Sequence, residues 1–311
     1  MNATATWHRP LLWLAAAMGV LAVVATIGAI VDPREVLGTN LWFKPLKFAI
    51  SIAIYSVSLS WLLSLLQRRK RFFWTLGTVT VVGLVAEIVI IVVAAALGGT
   101  SHFNVATPFN TAMWTVMAAS ITVVWAIVFM VSIALFRADL GDRARTVAIR
   151  GGALVAVVGM GLAFLMTGPT AQQLDDFQGI AGAHTVGLAD GGPGLPILGW
   201  STESGDLRIP HFIGMHALQV LPLVVIALEL LARRWPRLDA VRRLRLVWIA
   251  TAAYAAVLAL VTVQALAGES IAQPSGLTLL VGSAIAVLTA AGVSAALLAR
   301  TTSEFAALTP R

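Results

Sequence analysis

The sequence predicts an all-α, polytopic membrane bundle of eight transmembrane helices, and three observations predict it. Hydrophobic residues make up 59% of the 311 and charged residues only 11%. Mean hydropathy is +0.90. The apolar residues also fall into runs long enough to cross a bilayer, which takes about 20 residues each. These runs are Leu11 to Val31, Leu46 to Leu66, Phe72 to Leu97, Ala112 to Phe136, Gly151 to Gly168, Ile209 to Ala232, Leu246 to Gly268 and Leu277 to Ala299. The longest stretch between runs covers 169–208, too short for a separate soluble catalytic domain. Residues 1–311 therefore read as one integral membrane domain whose chemistry is built from helices and loops.

His8 and Arg9 before the first run resemble the start of a signal peptide. The run exceeds a usual signal core, however, and Asp32-Pro33-Arg34-Glu35 is a poor cleavage context, so it reads as a retained first helix. With no cysteine, the chain makes no disulfide, thiolate nucleophile, iron–sulfur cluster or Cys-type zinc site.

The formal charge of +7 is explained by topology. With an inner N-terminus and alternating spans, the inner side receives Arg9, Arg68 to Arg71, the cluster Arg137, Arg143, Arg145 and Arg150, the cluster Arg233 to Arg245, and Arg300 and Arg311. Only Arg34, Lys44, Lys47 and Arg208 fall outside. This bias follows the positive-inside rule, and it predicts a bacterial cytoplasmic (inner) membrane protein with both termini cytoplasmic. The basic clusters are topology determinants first and contacts to anionic lipid second. The expected partner is the lipid bilayer, not nucleic acid, because no base-reading module accompanies the charge. Trp7, Trp13, Trp61, Trp74, Trp235 and Trp248 fall near the inner interface and Trp42, Trp114 and Trp200 near the outer one, as an aromatic belt requires. Trp125 alone reads as mid-membrane.

The chain also reads as a possible duplication of a four-helix unit, 1–145 and 146–311. Ala96-Leu97-Gly98-Gly99-Thr100-Ser101 after the third run resembles Ala265-Leu266-Ala267-Gly268-Glu269-Ser270 after the seventh, and Pro45 and Pro210 open the second and sixth. Parallel repeats would leave a cleft between halves as the natural ligand site. The polar residues are not duplicated: under these offsets Glu87 corresponds to about Ala256, His102 to Ile271 and His216 to Ser51.

Any site opens outward. The outer segments carry Asp32, Glu35, Asp175, Asp176, Asp190, Glu203, Asp206 and Glu269, together with His102, His184, His211 and His216, whereas the inner loops are short and Arg-rich. Glu87 sits inside the third run, where a carboxylate costs several kcal/mol unless protonated or paired, so it reads as functional. At about 1.5 Å per residue it should lie roughly 15 Å below the outer end. His102 lies in a tight loop rich in Ser, Asn and Thr. The segment 169–208, with many Gly and Pro turns and an apolar Leu195 to Trp200 patch, is expected to fold over the bundle mouth as a lid.

His211 and His216 are about 140° apart on a helix and do not make a shared-metal pair, whereas His216 and Gln219 share a face above Pro222. His211, beside Arg208 and Asp206, is expected to cap, pair with a carboxylate or contact substrate. Glu229 is expected to pair with Arg233 at i+4, and Gln264 to hydrogen-bond between helices. Asn40 to Phe48 reads as an interfacial anchor with Lys44 and Lys47 snorkelling. A workable site combines His102, His184 and His216, with His211, Asp190 or Glu87. Three imidazoles with a carboxylate or water suit Zn, Fe or Cu, and two axial imidazoles suit a haem whose propionates reach Arg208, Lys44 or Lys47. Glu87 and Asp190 are the candidate acid–base groups. Proton relay through Glu87 suits redox chemistry on a quinone or another small molecule.

At Trp42-Phe43-Lys44-Pro45-Leu46-Lys47-Phe48, Ser101-His102-Phe103-Asn104, His184-Thr185-Val186-Gly187 and His211 to His216 the chain resembles a family of uncharacterised bacterial multi-pass, eight-helix membrane proteins, over most of its length. That resemblance implies the architecture and carries no activity. In outline the chain is also similar to haem A synthase, a doubled four-helix bundle, but it lacks that enzyme's cysteine pair and does not distribute its histidines one per helix pair. Three functions remain open on the sequence: membrane-embedded catalysis on a His-bound metal or haem, proton-coupled small-molecule transport through Glu87, and a non-catalytic role as a membrane assembly partner.

Overall fold

A computed structural model describes residues 6–299; Arg300 and Arg311, part of the inner charge cluster, lie outside the described residues. Among the described residues the chain is an all-α bundle with eight helices long and apolar enough to cross a membrane. They are α1 (Arg9–Val31), α2 (Phe43–Leu65), α3 (Lys70–Ala96), α4 (Pro108–Arg137), α5 (Arg143–Gly161, continued by a 3-10 turn, Leu162–Met166), then α7 (Arg208–Ala232), α8 (Ala240–Leu266) and α9 (Gly276–Leu298). Between α5 and α7 lies a short helix, α6 (Ala171–Asp175).

The expected runs match these helices to within four residues except at the starts of α8, Ala240 instead of Leu246, and of α5, Arg143 instead of Gly151. At α5 the reason is electrostatic. Asp142 accepts from the Arg145 amide as an N-cap, the Arg145 guanidinium pairs with Glu229, and Arg150 donates to Leu135 O and Ala138 O. A polar first turn is thereby satisfied where hydropathy alone sees no helix. These bonds also correct one expectation: Glu229 engages Arg145 through two contacts of 2.5 and 2.6 Å, not Arg233. Spacing along one helix cannot register a partner 84 positions away.

Packing repeats between the halves. In the first, α2 packs on α1, α3 on both, and α4 on α3; in the second, α7 packs on α5, α8 on both, and α9 on α8. A two-residue ladder follows the first helix of each half: β1 (Glu35–Val36) with β2 (Thr39–Asn40), and β3 (Thr185–Val186) with β4 (Gly205–Asp206). The turns after α3 and α8 share one hydrogen-bond pattern: Leu97 N, Gly98 N and Gly99 N reach Val93, Ala95 and Ala94, as Ala267 N, Gly268 N and Glu269 N reach Val263, Ala265 and Gln264. Gly98 and Gly268 both take a left-handed φ, 71° and 72°, where a Cβ would be strained. The turns therefore align Gly98 with Gly268, one residue from the sequence alignment, and Glu87 falls against Val257.

Within the second half, α5 and α7 make the most extensive helix contact. A Cβ on Gly159 would lie 2.3 Å from Gly214 Cα, and one on Gly152 would lie 2.7 Å from Ala217 O. Only small residues allow backbones this close. Gln264 does not bridge helices as expected; its amide donates to Ser270 O, closing its own C-terminal turn.

Candidate functional site

One end of the bundle draws in residues from α2, α3, the loop 98–107 and the segment 169–207. That loop turns inward. Val105 N donates to Gly179 O and Ala181 N to Phe103 O, and Phe103, at φ 61°, is buried against Met166, Leu207 and Ala265. His102 is thereby carried down to Glu87: its Nε2 stands 3.7 Å from Glu87 Oε1. Helical rise places Glu87 roughly 15 Å below the end of α3, and the inward loop closes that distance.

Glu87 is 4% exposed, and its Oε2 has no hydrogen-bond partner among the described residues. This is costly for a carboxylate in a dry bundle. On the other side of the His102 ring, Nδ1 lies 3.0 Å from Lys44 Nζ and 3.0 Å from Ser101 Oγ. With Lys44 as an ammonium, which has only N–H groups to give, Nδ1 accepts and the neutral ring carries its proton on Nε2, facing Glu87. Burial first, then Lys44, His184 and His211, hold His102 well below the ordinary imidazole range, which keeps the ring neutral. Phe48, Phe103 and Trp114 surround it, with ring centroids 5.7–5.9 Å away.

His184 stands 6.3 Å from His102, centroid to centroid. Its Nδ1 is 2.5 Å from Asp190 Oδ2. The amides of His184 and Thr185 and the Thr185 hydroxyl also converge on that carboxylate. Burial alone would raise the Asp190 carboxyl, but the hydrogen bonds from His184 and Thr185 outweigh it and hold the group well below the usual carboxylate range. Burial lowers His184 more than Asp190 raises it. The pair is thus a neutral imidazole donating from Nδ1 to an aspartate, with Nε2 left as a base.

The remaining candidates go elsewhere. Lys47 does not snorkel: its Nζ donates to Leu198 O at 2.6 Å. Arg208 forks onto Asp206 and reaches Gly199 O, so His211 does not pair with a carboxylate there. Its Nδ1 donates to Gly159 O at 2.9 Å instead. His216 packs on Phe212, 4.3 Å between centroids, and its Nδ1 lies 3.3 Å from Gln219 Oε1, as their shared face requires. Among the described residues His216 touches neither His102 nor His184.

The structure therefore brings Lys44, Glu87, His102, His184 and Asp190 together, leaves Lys47 and Arg208 holding the carbonyls of Leu198 and Gly199 in the segment 169–207, and sets His216 apart. The residues do not fit a metal centre. Among the described residues no three of His, Asp and Glu are grouped to hold an ion, and the lone pair of His102 Nδ1 is already taken by Lys44. Sequence reasoning missed Ser101, Phe103 and Trp114, whose roles depend on the inward loop. It also missed His8, which is buried at the other end: Nδ1 accepts from Leu11 N, Nε2 lies 3.0 Å from Trp74 O, and its amide donates to Ser60 Oγ. That arrangement is a helix cap locking α1 onto α2 and α3.

Comparison with protein-family models, with curated proteins and with solved structures gives no match.

Proposed function

We propose that the chain is a proton-coupled carrier of a small molecule in a bacterial inner membrane, with both termini cytoplasmic, built from two duplicated four-helix halves. Glu87 is the coupling carboxylate, His102 and Lys44 link it to the outer side, and the segment 169–207 is the outer gate. One observation carries the reading: a buried carboxylate with an unpartnered oxygen lies 3.7 Å from an imidazole whose other nitrogen meets an ammonium. As the Lys44 ammonium gives a proton to His102 Nδ1, the proton on Nε2 passes to an ionised Glu87 Oε1 after under about 1 Å of approach, so the ring stays neutral and Lys44 is left as an amine. Coupling needs a group that is dry in one state and in contact with the aqueous side in another, and a lid fastened by cation–carbonyl bonds and by backbone bonds to the loop 98–107 can switch between them.

A catalytic reading keeps one specific observation. The His184–Asp190 contact fixes the ring tautomer and leaves Nε2 as a general base, so that a membrane-embedded proton abstraction needs no metal.

The test uses proteoliposomes loaded with the pH dye pyranine and offered panels of small organic cations, anions and neutral solutes. The carrier reading expects at least one solute to drive a dye response in the wild type that Glu87→Gln abolishes and Asp190→Asn only slows. Solute-driven proton movement that survives Glu87→Gln overturns it. Chemical conversion of a solute that is lost in His184→Ala and kept in Glu87→Gln establishes the catalytic reading instead.

A further inference from the structure

The seam where the two halves meet on the arginine-rich side is not filled by protein. Between α4 and α5 lies a groove of about 210 Å³, lined by Phe129, Ile133, Phe136, Leu154 and Val157, with Arg137 at its rim. Both ends of the groove are pinned. Trp125 Nε1 donates to Val157 O at 3.0 Å above it. Below it, Arg150 of α5 donates to Leu135 O and Ala138 O at the end of α4 and lies over the Phe136 ring. The helices therefore cannot close the gap by sliding together. Phe129 to Arg137 spans about 12 Å along the helix, most of the roughly 15 Å hydrocarbon depth of one leaflet. Arg137 is exposed. Unlike Arg145 and Arg150, it makes no hydrogen bond or ion pair among the described residues. An apolar slot of leaflet depth inside a membrane-spanning pair, ending at an uncommitted guanidinium at the interface, matches an acyl chain below a phosphate.

We propose that this groove binds one acyl chain of an anionic phospholipid, with the lipid phosphate on Arg137. The lipid would fill the seam that joins the halves. The inference is independent of the carrier reading.

Native mass spectrometry of the full chain, released from detergent with phosphatidylglycerol or chain-matched phosphatidylcholine added, tests it. The wild type is expected to keep one phosphatidylglycerol, favoured about fivefold over phosphatidylcholine, the ratio that one basic residue near a membrane surface supports. Arg137→Gln should remove that preference and keep the adduct. Leu154→Trp and, separately, Ile133→Trp fill the slot and should remove both lipids; each position already faces outward, at 55% and 38% exposure, so at least one variant should fold. Equal retention of the two lipids by the wild type overturns the proposal. So does an adduct that persists in both tryptophan variants, displacement of the lipid by inorganic phosphate, or a dimer peak that vanishes with Leu154→Trp and identifies a second copy as the occupant.

Discussion

Replacing Gly159 by alanine tests the crossing of α5 and α7. The new Cβ would sit 2.3 Å from Gly214 Cα and 2.4 Å from Gly214 C, where ordinary contact begins at 3.4 Å. The obstacle is backbone, so no rotamer change relieves it, and α5 and α7 must part by about 1 Å. Overpacking of this kind costs about 1–3 kcal/mol. The same movement stretches the 2.9 Å bond from His211 Nδ1 to Gly159 O beyond hydrogen-bonding range, which adds about 1 kcal/mol. Gly159→Ala should therefore destabilise the chain by roughly 2–4 kcal/mol. The assay is unfolding of the detergent-solubilised protein by titration with SDS, followed by tryptophan fluorescence. Gly19→Ala is the control: a Cβ there meets nothing within 4 Å, and alanine gains up to about 1 kcal/mol of helix propensity. If Gly159→Ala unfolds within about 0.5 kcal/mol of the wild type while the control behaves as stated, the close approach of α5 and α7 is refuted.

A double-mutant cycle on Arg145 and Glu229 should give a coupling of about 1 kcal/mol, held to that size because the arginine side chain is 42% exposed; a cycle on Arg233 and Glu229 should give none, and the reverse ranking refutes the assigned pair. Acidification should loosen the lid. His102 and His184 sit below their ordinary 6.5 when the lid is closed, so the opened form takes up protons first as the pH falls through about 6.5, and closure is favoured above that value and lost below it. Hydrogen exchange of 169–207 should therefore speed up between about pH 7 and pH 5, and unchanged protection would count against the buried neutral imidazoles. Elemental analysis should find no stoichiometric Zn, Fe or Cu, and the optical spectrum no Soret band. A metal or a band lost on combining His102→Ala with His216→Ala would restore the metal or haem reading.

The spans were legible in the sequence because each is decided by its own residues. Some 20 apolar positions must cross hydrocarbon whatever their neighbours do. What was not legible depends on partners distant in sequence. The start of α5 needed Glu229 of α7 and the end carbonyls of α4. Lys44 and Lys47 read as snorkelling groups because nothing in Asn40 to Phe48 announces the carbonyl of Leu198 or the ring of His102. Glu87 and His102 were each legible as unusual residues, but their meeting depends on a loop that folds inward through Val105, Ala181 and Phe103. His216 and Gln219, one turn apart on one helix, needed no such help and were found as expected.

The lid's fastening bears on how freely its sequence can change. Lys47 and Arg208 grip the carbonyls of Leu198 and Gly199, and a carbonyl is the same whatever side chain its residue bears. Substitution at 198 can alter what the lid shows to solvent or to an arriving solute without weakening the grip. The constraint lies in backbone direction instead: Gly199 at φ 64° is at ease there, whereas Ile197 at φ 63° holds a β-branched side chain in a conformation that costs of order 1 kcal/mol or more. The latch can thus persist while the outer surface of the lid diversifies, and its most easily improved position is 197, where asparagine or glycine would tighten closure without touching either cation.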